Sequence, residues 1–245
     1  MGNVLFCLGF PNQASVRSNA AIAEARRLAH LPSLAASLVY SARILSLVGD
    51  NEALEERSDE LIAVTTEGGF PHWGAIGAIY RGWVKVRNGD VERGTSLLRS
   101  GSRAFGATGA ENWATHHFAL LALACEIAGQ IDEAMTQLDD AFRIAERTGE
   151  RWLEAELHRH KGRLLLRQGH TDAAEELCCK AVDIAREQEA KLWELRACVS
   201  LARLRRDQGR RAEAHDLLAP VYGWFTEGFG TPDRKEAKAL LDELA

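Results

Sequence analysis

Glycine recurs at Gly9, Gly49, Gly89, Gly129, Gly169 and Gly209, each 40 residues after the last, and no other feature constrains the fold so tightly. A strict period of this length is the signature of a stacked supersecondary repeat. Seven residues before these glycines stand Gly2, Ala42, Gly82, Ala122, Gly162 and Ala202; five residues after them stand Ala14, Leu54, Gly94, Ala134, Ala174 and Ala214. Small residues at both offsets suit two helices whose axes approach closely across a short turn. The glycine supplies the left-handed residue that ends the first helix. Asp50, Asp90 and Thr171 are placed to cap the second helix. Leu98, Leu138, Cys178 and Leu218, followed three residues later by Gly101, Ala141, Ala181 and Val221, continue one buried helical face.

A second set of breaks, Gly68-Gly69-Phe70-Pro71, Gly106-Ala-Thr-Gly109 and Thr148-Gly149, separates the pairs. The expected fold is all-α, with no strands: a right-handed superhelical solenoid of about six antiparallel helix pairs. The expected repeats run over 1–30, 31–70, 71–110, 111–149, 150–190 and 191–230, forming a single domain over 1–245. Thr231-Pro232-Asp233 opens a last helix with an apolar stripe at Ala237, Leu240, Leu241 and Leu244, read as a capping helix over 232–244. The first pair starts only eight residues before its glycine, which predicts Leu5, Phe6 and Leu8 without their usual cover and an N-terminal edge open to self-association.

The small residue twelve positions before a paired alanine matches the tetratricopeptide pattern, although the period here is 40 rather than 34. Trp152-Leu-Glu-Ala-Glu-Leu-His158, Lys161-Gly-Arg-Leu-Leu-Leu166, Leu192-Trp-Glu-Leu-Arg196 and the run Leu217–Gly228 sharpen the likeness. The chain resembles the tetratricopeptide-like C-terminal repeat region of bacterial predicted ATPases, often fused behind a class III adenylate/guanylate cyclase domain. That resemblance implies a regulatory or scaffolding arm, here a truncated or split member, and carries none of the family's catalytic parts.

Composition narrows the partner. A net charge of −5 and a pI of 5.9 give no global basic field for nucleic acid or anionic lipid. No 18-residue apolar run free of charge suggests a membrane span. Five scattered cysteines and no leader-like start suit a reducing cytoplasm. No phosphate-binding loop, nucleophile elbow or paired metal carboxylates occur, so neither an enzyme nor a cofactor is expected. His116-His117 and His158-x-His160 lack the i, i+4 spacing of helical metal ligands, and Cys178 falls in the buried column rather than beside a base.

Binding chemistry is expected on the first helices of the pairs, which line the inner face of such arrays. Six residues before the glycines stand Arg43, Trp83, Leu123, Arg163 and Arg203, with Arg87, Arg167 and Arg206 nearer the turns and Arg159 and Arg196 further back. Trp83 reads as a groove anchor or as core. The arginines read as a receptor for acidic peptide segments or a terminal carboxylate, or as solvated charges paired with Glu154, Glu156 and Glu194. The expected job is therefore a noncatalytic protein-binding or domain-coupling module. The alternative is a small-molecule effector-sensing domain of an ATP-binding transcriptional regulator, with Trp83, Arg87 and Arg163 as its pocket.

Overall fold

The computed structural model describes residues 2–245, and among them it contains thirteen helices and no strand. They are α1 (Gly2–Cys7), α2 (Pro11–Arg27), α3 (Leu31–Val48), α4 (Asn51–Gly68), α5 (Pro71–Arg87), α6 (Val91–Ala107), α7 (Ala114–Ile127), α8 (Ile131–Thr148), α9 (Glu154–Arg167), α10 (Thr171–Glu187), α11 (Lys191–Asp207), α12 (Arg211–Trp224) and α13 (Pro232–Leu244). All six glycines of the 40-residue column adopt positive φ, between 77° and 93°. Gly49 shows the mechanism: at φ 81° its N–H donates to the Leu45 carbonyl and closes the last turn of α3. The breaks between pairs use the same conformation at Gly69, Gly109 and Gly149, and Ala29 and Glu189 take it without being glycine.

The caps are less regular than their sequence. Asp50 accepts a hydrogen bond from the Ala53 N–H at 3.1 Å, but Asp90 makes no side-chain cap and Thr171 already lies inside α10, where His170 is the flanking residue. Asp90 and Thr171 are therefore corrected as caps; tertiary packing of the small-residue faces holds these helix starts without them.

The chain forms two compact units, one of Gln13–Glu150 with Gly2 and Asn3, the other of Val4–Asn12 with Arg151–Ala245. In the first, α3 packs on α4, α5 on α6 and α7 on α8, while α5 also touches α3 and α7. The α5–α6 contact is the tightest. A Cβ on Gly82 would lie 2.7 Å from the Leu98 amide nitrogen and 2.9 Å from the Gly94 carbonyl, both backbone atoms that cannot turn aside. Gly82→Ala is expected to cost about 1–3 kcal/mol through forced separation of the helices, read as a lower urea midpoint with helicity retained.

The helix α3 is long and apolar enough to cross a membrane by length and composition, with a mean hydropathy of 1.5, although Arg43 interrupts its apolar run. In the fold, Ala35, Leu38, Val39, Ala42 and Ile44 are core residues of the first unit, and the same helix buries Arg43.

In the second unit, α9 packs on α10, α11 on α10 and α12, and α13 on α11 and α12. Residues 4–12 belong to this core. Phe6 meets Trp193 edge-on at 5.9 Å, Phe10 meets Trp224 at 5.6 Å, and the Asn12 N–H donates to Glu227 Oε1 at 2.8 Å. The expected bare N-terminal face is thus corrected: Phe6 is only 1% exposed because the Trp193 ring, more than 180 residues away in sequence, packs against it, and Leu5 and Leu8 are half-buried.

Candidate functional site

The first helices of the second unit, α9, α11 and α13, present one face to a cavity of about 290 Å³. Its floor is apolar and close-packed. Gly162 lets α9 approach α10 so nearly that a Cβ there would meet the Ala174 carbonyl at 3.1 Å and Cys178 Sγ at 3.2 Å. Leu195, Val199 and Leu204 of α11 and Leu166 of α9 complete the wall, and Arg159, Arg163, Arg196, Arg203, Asp233 and Glu236 bring charge to it. Burial pushes the Cys178 thiol up to about 11, so it stays protonated and serves as a small apolar residue.

Beneath these side chains runs an ionic network. Arg159 donates twice to Glu156, at 2.6 and 2.9 Å, and Arg196 spans from Glu156 at 3.3 Å to Asp233, which it grips through Nε and Nη2 at 2.7 and 2.9 Å. Arg203 pairs with Glu236 at 2.5 Å. Burial alone would raise the Glu156 carboxyl's pKa, but the two guanidiniums outweigh it and hold the group well below the usual carboxylate range. Its neighbour His160 is kept neutral by burial and by the repulsion of Arg159 and Arg163. Arg159, Arg196 and Arg203 are thus each paired with Glu156, Asp233 or Glu236, and Arg163 joins them in the lining.

The eight sequence-predicted residues divide. Arg159, Arg163, Arg196 and Arg203 come together at this cavity. Arg167 is exposed outside its lining, and Arg206 turns to Asp207 at 2.9 Å and to Glu243 of α13. Trp83 and Arg87 belong to the first unit, where the guanidinium lies 5.9 Å from the indole centre and Trp83 is buried among its neighbours on α5. Of the acids weighed as partners, Glu156 takes Arg159 and Arg196; Glu194 instead pairs with Arg186 and Lys191. Sequence reasoning missed Asp233 and Glu236, which lie 37 and 33 residues beyond the arginines they bind. Nearly one full period separates each pair, and that register was the available signal.

Residues 155–188, which include α10 and most of α9, match the tetratricopeptide repeat family. No curated protein matches the chain. Among solved structures, a Rap protein complexed with Competence and Sporulation Factor is similar at a TM-score of 0.69 and 13% identity, over 99% of this chain and 72% of that one. The apo form of RapI is similar at 0.66 and 12% identity, over 99% and 82%. BtubC (BKLC) from P. vanneervenii is similar at 0.61 and 15% identity, over 95% and 92%. At these identities the likeness is one of fold, and the chain has the all-helical repeat fold of the tetratricopeptide-like proteins.

Proposed function

We propose that the chain is a noncatalytic binding module whose working surface is the α9–α11–α13 face of the second unit, and that its partner is a protein segment carrying carboxylates. The observation that carries this reading is the cavity of about 290 Å³ in which an apolar floor lies beside four arginines. Planar guanidiniums over an apolar floor suit an acidic side chain or chain terminus with an adjoining aliphatic stem. The volume is at the small end for a metabolite pocket, which favours one inserted side chain over a bulky effector. The Rap protein of the same fold, solved with Competence and Sporulation Factor bound, supports a ligand-binding use of such a framework. The likeness of the Trp152–His158 and Leu217–Gly228 segments to the repeat arm of bacterial ATPase/cyclase regulators supports a cytoplasmic signalling context, in which partner binding biases an attached catalytic domain.

The test is charge reversal. Arg163→Glu with Arg203→Glu is expected to weaken binding of an Asp/Glu-rich peptide by about 100-fold, the loss of two charge-assisted contacts, with the circular dichroism spectrum unchanged. Fluorescence anisotropy of the labelled peptide reads it, and an unchanged affinity overturns the assignment of this face.

A further inference from the structure

In the first unit, Arg43 of α3 is completely buried, and among the described residues its three guanidinium nitrogens make no well-formed hydrogen bond, the Tyr80 hydroxyl being the polar group nearest to serving them. No carboxylate among the described residues pairs with it either. A buried unpaired charge is strongly unfavourable, and cores ordinarily remove it or neutralise it. What surrounds Arg43 is aromatic: its Cζ lies 3.8 Å from the Trp113 ring centre and 5.5 Å from that of Tyr40, and the two rings meet edge-on at 6.2 Å. Ring faces stabilise a guanidinium from above its plane. They leave the in-plane N–H fork, the part that recognises oxyanions, unsatisfied.

The surroundings share that lack. Tyr80 of α5 is fully buried with its hydroxyl drawn toward Arg43 and no other partner among the described residues, and burial raises its pKa against the opposing pull of Arg43, so it remains a donor. His117 of α7 is 1% exposed with both ring nitrogens unbonded, and burial together with Arg43 keeps it neutral. Neutral imidazole adds another N–H donor. Three donor groups from three helices are thus collected in one core, with no carboxylate among the described residues to serve them.

The cover over this cluster is thin and under strain. Tyr40, whose ring lies against Arg43, is itself 46% exposed. Trp113 holds φ 66°, a left-handed conformation that a bulky residue rarely adopts. Its N–H is held in place by both carboxylate oxygens of Glu150, each at 2.9 Å. A strained aromatic residue clamped over an unpaired cation has the form of a gate.

We propose that Arg43 anchors a binding site for a small oxyanion, a carboxylate or a phosphate, reached by displacement of Tyr40 and Trp113, with Tyr80 and His117 as further donors. It involves no residue of the second-unit cavity.

The experiment uses the full chain carrying Arg163→Glu and Arg203→Glu, which silences the other cavity. Its thermal midpoint and tryptophan fluorescence are followed as sodium acetate or sodium phosphate replaces sodium chloride at constant ionic strength. The expected result is a saturable rise in midpoint with a fluorescence change in acetate, in phosphate or in both, the stronger of the two naming the ligand group. Adding Arg43→Met should abolish both responses without lowering the starting midpoint, because an uncompensated buried charge is removed. Tyr40→Ala, a surface truncation that leaves the core intact, should tighten the response about tenfold by removing part of the cover. No saturable response in either anion overturns the proposal, as does a response that survives Arg43→Met. If Arg43→Met does not fold, an anion affinity unmoved by Tyr40→Ala overturns the gate and the site with it.

Discussion

Arg196→Met destabilises the second unit by about 3–5 kcal/mol, the expected consequence of removing one member of a buried ionic network and stranding the others. Arg196 bonds carboxylates on two further helices, Glu156 of α9 and Asp233 of α13, and its guanidinium also lies 5.1 Å from the Trp193 ring centre. Methionine restores the apolar stem but none of the five donors. Glu156, only 3% exposed, then keeps Arg159 alone, and Asp233 loses the bidentate grip that fixes the first turn of α13. Urea unfolding measures the loss, and a double-mutant cycle with Glu156→Gln isolates the pairwise part. The double variant should be less destabilised than the sum of the singles, since each change removes the other's stranded charge. A loss below about 1 kcal/mol for Arg196→Met would rank the network with ordinary surface pairs and refute its role in docking the last helix.

Acid is the second large perturbation. In the folded chain burial lowers the His117 pKa from 6.5 to about 3, and that of His158 to about 4, with repulsion by Arg43 and His72 adding to the first and by Lys180 and Lys161 to the second. His160 moves the same way. For a depressed base, both states are neutral above pH 6.5, and the stability contribution is fully present there. As the pH falls below 6.5 the unfolded chain takes up protons that the native chain refuses, so stability is lost. His117 alone is expected to remove about 1.4 kcal/mol per pH unit over that window, or about 3 kcal/mol by pH 4.5. His158 and His160 steepen the slope in the second unit. Below pH 4.5 Glu156 continues the trend, because a carboxylate held below its ordinary pKa also loses its contribution as acid protonates it. Urea midpoints between pH 7.5 and 4.5 should therefore fall monotonically, and His117→Leu should flatten the part contributed by the first unit. A flat profile would mean that these imidazoles take up protons in the folded chain.

The two perturbations touch features of different legibility. The glycine column was readable because a left-handed residue ending a helix has a strong preference for glycine, so the turn prints itself at each repeat. The small columns were readable for a related reason: at Gly82 and Gly162 a neighbouring backbone stands within about 3 Å of where a Cβ would lie, and the approach allows little else. Both are local or nearest-neighbour requirements, and they recur every 40 residues as the backbone does.

The fate of the long side chains was decided elsewhere. Arg43 and Arg203 occupy the same position of their repeats, six residues before the turn glycine, yet Arg43 is fully buried under Trp113 and Arg203 has a side chain 48% exposed and bound to Glu236. Within their own repeats the neighbour three residues earlier differs, Tyr40 against Ser200, but neither buries nor pairs the arginine by itself. The difference comes from what the following helices bring, an indole in one case and a carboxylate in the other. Phe6 makes the same point, since its cover comes from Trp193, far along the chain. The sequence by itself determined the helices, their turns and the pairs that touch, because periodic spacing and backbone sterics act over short range. Only the tertiary structure decided which charges are paired, which are buried and which face a cavity, because a flexible side chain's environment is set by neighbours one or more repeats away.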